Sequence, residues 1–114
     1  MELRDLEYLL ACVDAGSFTR ASREVHVAQP TLSHAMKRLE DELGRPLLHR
    51  PRARDGIVVP TDAGHVVVAC ARQILASVST LHESLAALDG VARGTVRLGA
   101  APSLAMSFVP ALLG

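Results

Sequence analysis

Hydrophobic residues in the first part of the chain recur at intervals of three and four, which is the spacing of one face of an α-helix. The first run consists of Leu3, Leu6, Leu9, Leu10 and Val13. Gly16 follows where a helix C-cap belongs, and Ser17 is well placed to cap a short second helix. The inner side of that helix consists of Phe18, Ala21, Ser22 and Val25. The pattern therefore predicts two helices joined by a tight turn.

A third helix is predicted from Pro30 to about Leu43, after a turn at residues 26–28. Proline favours the first turn of a helix, and Gly44 supplies a stop signal. The buried face is expected to consist of Leu32, Met36, Leu39 and Leu43. The other face carries Pro30, Thr31, Ser33, His34 and Lys37, which are small or polar. This helix is therefore expected to turn a hydrogen-bonding face toward solvent.

Two short extended segments, residues 47–50 and 57–59, follow the third helix. They flank a basic segment that ends in the turn dipeptide Asp55-Gly56, so a hairpin is predicted. Three helices followed by such a hairpin predict a mainly α fold, a winged helix-turn-helix with a two-stranded wing.

Thr61 is predicted to cap a fourth, long helix that ends at about Leu88 or Asp89. Its heptad seam consists of Val67, Ala71, Ile74, Val78, Leu81, Leu85 and Leu88. A seam of this length needs a partner helix, so we expect dimerisation through it. The alternative is that the seam packs back on its own domain.

Glycines at positions 90 and 94 interrupt the helical pattern, and residues 95–113 resemble one strand and one helix, too little for a domain. We expect three parts: a winged helix-turn-helix at residues 1–60, a linker and dimerisation helix at 61–90, and a hinge with a truncated strand-helix unit at 91–114. The longest apolar run, Val66 to Ala71, is far shorter than the roughly 18 residues of a membrane span. Because charged residues also fill the N-terminus, we expect a cytoplasmic protein without a membrane partner.

The formal net charge is zero, but the charges are unevenly distributed. Four arginines, Arg45, Arg50, Arg52 and Arg54, follow the third helix without an intervening acid, whereas acids cluster at residues 2–7 and 40–42. A local basic patch attracts phosphate groups, although a solvated basic loop without a partner is the alternative.

The cysteines and histidines of the chain suggest no reactive or metal-binding chemistry. Cys12 and Cys70 lie among apolar neighbours and are expected to be small buried residues. The five histidines do not have the spacing of metal ligands. We expect neither a metal nor a cofactor.

The polar face of the third helix suits the base edges of a DNA major groove. Ser17 and Thr19 at the start of the second helix could hold a phosphate, and the wing arginines could reach the backbone or minor groove. The predicted DNA-binding residues are Ser17, Thr19, Gln29, Pro30, Thr31, Ser33, His34, Lys37, Arg50, Arg52 and Arg54.

Several ordered runs resemble the LysR-type transcriptional regulators. They are Ser17-Phe18-Thr19-Arg20-Ala21-Ser22, Gln29-Pro30-Thr31-Leu32-Ser33, Leu39-Glu40-Asp41-Glu42-Leu43-Gly44, Pro46-Leu47-Leu48-His49-Arg50 and Thr61-Asp62-Ala63-Gly64. The resemblance implies a sequence-specific, double-stranded DNA-binding regulator. It also implies dimers that form tetramers at full length, and a small-molecule effector bound only by the complete protein. The family's DNA-contacting positions map onto the third helix and Arg50, with His34 in place of a frequent arginine, and Ser103 matches the effector-binding region.

Two other classes of function are weighed against a regulator. A protein–protein interaction module would use the long helix to recruit a partner and would leave the polar third helix unexplained. An enzyme would need a nucleophile beside a base, but the adjacent Ser33 and His34 diverge by about 100° on a helix. We therefore expect no enzymatic activity.

Overall fold

The computed structural model describes residues 1–50 and 57–92 of the 114-residue chain. Its elements are α1 (Leu3–Ala15), α2 (Phe18–Glu24), α3 (Gln29–Leu43), β1 (Leu48–His49), β2 (Val59–Pro60) and α4 (Asp62–Ala92). Two compact units divide the chain, Met1–Leu75 and a second that begins at Ala76. The predicted mainly α, winged helix-turn-helix fold is confirmed.

The core of the first unit lies between α1, α2, α3 and the base of the hairpin. Leu9, Leu32, Met36 and Leu39 are almost completely buried, as the helical spacing predicted. The predicted caps are also present, because Gly16 adopts a left-handed conformation (φ 69°) and the Ser17 side chain accepts a hydrogen bond from the Arg20 amide. Burial of these aliphatic side chains is the main source of stability for such a unit.

Two leucines assigned to buried faces lie at the surface instead. Leu3 is 46% exposed and Leu43 is 39% exposed. Both occupy a terminal residue of their helix, α1 and α3 respectively. Their angular positions agree with the rest of each stripe, but the ends of the helices extend past the core.

The hairpin pairs its strands antiparallel, with Leu48 opposite Pro60 and His49 opposite Val59. The second strand is therefore Val59–Pro60, which begins two residues after the predicted start at Ile57. The Val58 amide donates to the Gly16 carbonyl over 2.9 Å, which ties the chain to the end of α1, and Ile57 is 73% exposed. The predicted tip at residues 51–56, with Arg52 and Arg54, lies outside the described residues.

Helix α4 begins as predicted, because Thr61 Oγ1 accepts a hydrogen bond from the Gly64 amide over 3.0 Å. It continues to Ala92, past the predicted end at residue 88 or 89. A single glycine inside a helix costs only about 1 kcal/mol, so Gly90 does not stop it. Cys70 is exposed, contrary to the expectation, whereas Cys12 is completely buried.

The predicted seam of α4 divides into an inner and an outer part. Ala71 is fully buried and Val67 is half-buried within the first unit, so the alternative of packing on its own domain applies to these two positions. An ion pair between Arg72 and Asp14 (2.7 Å) also ties α4 to α1. Val78 is half-buried, while the large side chains that remain exposed are Ile74, Leu81, Leu85 and Leu88.

Helix α4 is also apolar enough, by length and composition, to cross a membrane. Between Asp62 and Asp89 an 18-residue window has a mean hydropathy of 1.3, and 11% of it is buried. The expectation based on uninterrupted apolar runs missed this, because an average also counts apolar residues that are spaced between polar ones. A helix with a heptad seam produces a similar average.

Candidate nucleic-acid interface

The outward face of α3 has the composition and exposure that the sequence predicted. Gln29, Pro30, Thr31, His34 and Lys37 are exposed, and Ser33 is half-buried. The opposite face of the helix is closed against the core. Among the described residues, the exposed polar side chains of this face keep donors and acceptors available to a ligand.

The start of α2 lies beside the start of α3. Thr19 Oγ1 donates a hydrogen bond to Gln29 Oε1 over 3.4 Å, and both side chains are exposed. Ser17 Oγ accepts from the Arg20 amide over 3.1 Å, which fixes the first turn of α2. Thr19 and Gln29 are thus brought together, and Ser17 caps the same helix that carries Thr19.

The turn between α2 and α3 sets the angle at which the two helices meet. His26 adopts a left-handed conformation (φ 59°), and the Val27 amide donates to the Ser22 carbonyl over 3.1 Å. The buried Ser22 hydroxyl in turn donates to the Thr19 carbonyl over 2.8 Å. Histidine is among the residues that tolerate this backbone conformation, so no glycine signals the turn in the sequence.

Glu40 is the residue of this site that sequence reasoning missed. Its carboxylate is only about a tenth exposed and accepts hydrogen bonds from the amides of Leu47 (2.7 Å) and Leu48 (3.2 Å). The second oxygen pairs with Arg50 Nη2 over 2.5 Å. The signal was its spacing, because Glu40 follows Met36 by one helical turn and so lies near the buried face.

Arg50 connects the wing to both helices of the helix-turn-helix. Besides its ion pair with Glu40, its guanidinium lies 5.3 Å from the centre of the Phe18 ring, within the range of a cation–π contact. About a third of the side chain (34%) is exposed. The predicted contact residue Arg50 is therefore held in a defined place beside α2 and α3.

Cys12 is buried in the core rather than exposed on this surface. Burial raises the pKa of the Cys12 thiol to about 12, although the nearby Arg50 charge opposes the shift. Within residues 1–50 and 57–92, no group of three His, Cys, Asp or Glu side chains could hold a metal ion. Ser103, the expected effector contact, lies outside the described residues.

Comparison with known proteins agrees with this geometry. The sequence profile described as "Bacterial regulatory helix-turn-helix protein, lysR family" matches residues 3–65. The chain is 37% identical over 113 residues to the "Hydrogen peroxide-inducible genes activator" of Pectobacterium carotovorum subsp. carotovorum. The aligned region covers 99% of this chain and 36% of that protein. The chain thus spans about a third of the length of this curated relative.

Two solved structures of DNA complexes contain a similar fold. The CbnR DNA-binding domain bound to DNA has a TM-score of 0.72 at 34% identity, and the match covers 78% of this chain and 99% of that one. The BenM DNA-binding domain on its catB site 1 DNA has a TM-score of 0.72 at 37% identity. This match covers 78% of this chain and 96% of the BenM chain. With a family profile that spans more than half of its residues, the chain belongs to the lysR family of bacterial regulatory helix-turn-helix proteins.

Proposed function

We propose that this chain is the DNA-binding part of a bacterial transcription regulator and that α3 enters the major groove of double-stranded DNA. The observation that carries the proposal is the exposed polar face of α3, which meets the start of α2 at the Thr19–Gln29 hydrogen bond. A major groove accepts one helix, and residues near its N-terminus reach the base edges.

The contacts on α3 divide by chemistry into readers of bases and holders of phosphates. Gln29, Ser33 and His34 supply donors and acceptors for base edges, and Pro30 and Thr31 offer apolar surface to a thymine methyl. Lys37 is proposed to supply a further donor to the base edges. Ser17, the N-cap of α2, and Thr19 in its first turn are proposed to bind phosphates, which position the helix without reading sequence.

The wing is proposed to contact the backbone or minor groove beside the site of α3. Arg50 lies next to α2 and α3, and Arg52 and Arg54 follow in the sequence. Their positive charge would be attracted to the phosphates of either groove edge. With Lys37, the three wing arginines would place four of the chain's 12 basic residues on the DNA.

Dimerisation through α4 is proposed to place two α3 helices on one site. The exposed Ile74, Leu81, Leu85 and Leu88 support this, because a heptad seam in water is stabilised by a second helix. Val78 shares the seam, whereas Val67 and Ala71 already pack within their own unit. A symmetric dimer would bind two half-sites related by a dyad.

The organisation into a DNA-binding part (residues 1–60), a linker helix (61–90) and the beginning of an effector-binding domain (91–114) stays a proposal. A complete protein would add the rest of that domain, a small-molecule effector near Ser103 and a tetrameric assembly. We propose a regulator that acts inside the cell and has no enzymatic activity.

Selection of bound sequences from a pool of random duplexes tests the proposal. We expect enrichment of a dyad with two half-sites, and an affinity that falls with salt by about 0.9 log units per log unit of salt for each phosphate neutralised. The alternative is a protein–protein interaction module that uses α4 alone. Such a module would enrich no sequence and would bind duplex DNA at no salt concentration.

A further inference from the structure

Glu40 connects α3 to β1 and to the residues on either side of β1, although it carries the wrong charge to contact DNA. It belongs to α3, accepts hydrogen bonds from the amides on either side of the start of β1, and pairs with Arg50 just after β1. An acid close to DNA ordinarily weakens binding by repelling phosphates. Here the carboxylate is buried and paired, so its charge is compensated within the protein.

Arg50 is restrained from two directions. The Glu40 carboxylate binds one Nη, and the guanidinium carbon lies 5.3 Å from the centre of the Phe18 ring of α2. A guanidinium carries five N–H donors, and the exposed third of the side chain leaves some of them to solvent. The position of the guanidinium is therefore fixed by these two contacts, and the donors that face solvent are held with it.

We infer that Glu40 and Phe18 are positioning residues for DNA binding, which act by holding Arg50 and β1 in one arrangement beside α3. This inference rests on the proposed function. An unrestrained arginine loses rotamer freedom when it binds a phosphate, and restraint in the free protein lowers that cost. An acidic residue is thus expected to raise the affinity for a polyanion.

The substitution Glu40→Gln removes the ion pair with Arg50 and can keep the hydrogen bonds from the Leu47 and Leu48 amides. Glutamine has the same shape, and its amide oxygen can still accept from the Leu47 and Leu48 amides while its NH₂ group faces Arg50. We expect affinity for a random-sequence duplex to fall about tenfold, the equivalent of one charge-assisted hydrogen bond. Asp41→Asn is the matched control, since it removes an exposed acid from the neighbouring position of α3, and it should leave the affinity unchanged or raise it.

A double-mutant cycle tests whether Glu40 acts through Arg50. In an Arg50→Gln background, Glu40→Gln should cause no further loss, because the group that it positions is absent. Arg50→Lys keeps the charge but not the planar fork, and should weaken binding as Glu40→Gln does. Each variant is measured below its own unfolding temperature, determined by circular dichroism, so that loss of fold is not counted as loss of affinity.

Three outcomes would overturn the inference. One is that Glu40→Gln binds as tightly as the wild-type chain or tighter, as Asp41→Asn is expected to do. Another is full additivity of the Glu40 and Arg50 substitutions, together with an Arg50→Lys variant that binds normally. A wild-type chain that binds no duplex would overturn this inference and the proposed function together, whereas the first two outcomes leave the proposed function standing.

Discussion

Gly64 and Gly44 are both expected to resist replacement by alanine, for different physical reasons. At Gly64 a Cβ would lie 2.0 Å from the Leu47 carbonyl oxygen, a backbone atom that cannot rotate away. At Gly44 a Cβ would meet nothing within 4 Å, but the backbone has φ +75°, which L-residues rarely adopt. One glycine thus permits a close approach, and the other permits a turn.

We expect Gly64→Ala to destabilise the first unit by about 3 kcal/mol, because the start of α4 must move away from the chain before β1. Gly44→Ala should cost only about 1 kcal/mol, the ordinary penalty of a left-handed residue. Gly44→Asn is the control, since asparagine tolerates this conformation. Urea denaturation measures all three, and an equal cost for the two alanine variants would contradict the assignment.

The Cys12 thiol should be unreactive in the folded protein, because its raised pKa of about 12 keeps it protonated and it has no exposed surface. In a Cys70→Ser background, a thiol reagent at pH 8 should modify Cys12 only after denaturant is added. Rapid modification of the native protein would show that the core around α1 opens easily.

The same shift links Cys12 to stability at alkaline pH. The thiol is harder to ionise in the folded chain than in the unfolded chain. The stability that Cys12 contributes is therefore fully present below its ordinary pKa of 9.0 and is lost as the pH rises through about 12. The free energy of unfolding should therefore fall over this range, and it should fall less steeply in Cys12→Ala.

At the residue scale the sequence predicted apolar positions well and buried polar positions poorly. Leu32, Met36 and Leu39 follow from spacing alone, because helix period and hydrophobicity agree. Glu40 does not, since its burial depends on an arginine ten residues later and on two amides that no local pattern displays. The close contact of Gly64 with Leu47 likewise depends on the tertiary structure, which no local pattern displays.

At the scale of elements, α4 is the helix whose packing the sequence described least completely. The heptad pattern identified one continuous seam, but burial divides it at about Ala71. Periodicity reveals which positions share a face and does not reveal what covers them. The apolar positions close to the core were therefore indistinguishable from those further along the helix.

Substitution of the outer seam should separate the proposed dimer. Leu85 is 54% exposed in the single chain, so Leu85→Glu costs little in a monomer but places a charge in a helix–helix interface. We expect sedimentation to show a dimer for the wild-type chain and a monomer for Leu85→Glu. Ala86→Glu, on the neighbouring exposed position away from the seam, should remain dimeric. A Leu85→Glu chain that sediments as the wild type would exclude this seam as the interface.

At the scale of the whole molecule, a formal net charge of zero coexists with a local cluster of arginines in the sequence. Composition alone would not have indicated a nucleic-acid partner, because opposite charges in separate segments cancel in the sum. The fold brings one such pair together, since Glu40 of α3 pairs with Arg50, which also lies beside the Phe18 ring of α2. The ordered motifs predicted the winged helix-turn-helix as far as Thr61, whereas the assignment of residues 91–114 to a further domain stays a prediction.

The exposed polar face of α3 is proposed to read DNA sequence, and the double variant Gln29→Ala with Ser33→Ala tests this readout most directly. Gln73→Ala with Ser79→Ala removes the same two side-chain types from exposed positions of α4 and is the matched control. The measured quantity is the ratio of affinities for the selected duplex and a scrambled one. We expect the ratio to fall about tenfold or more in the α3 variant, the value of one base-specific pair, and to stay unchanged in the control. An α3 variant that keeps the full preference of the wild-type chain would contradict readout by this helix.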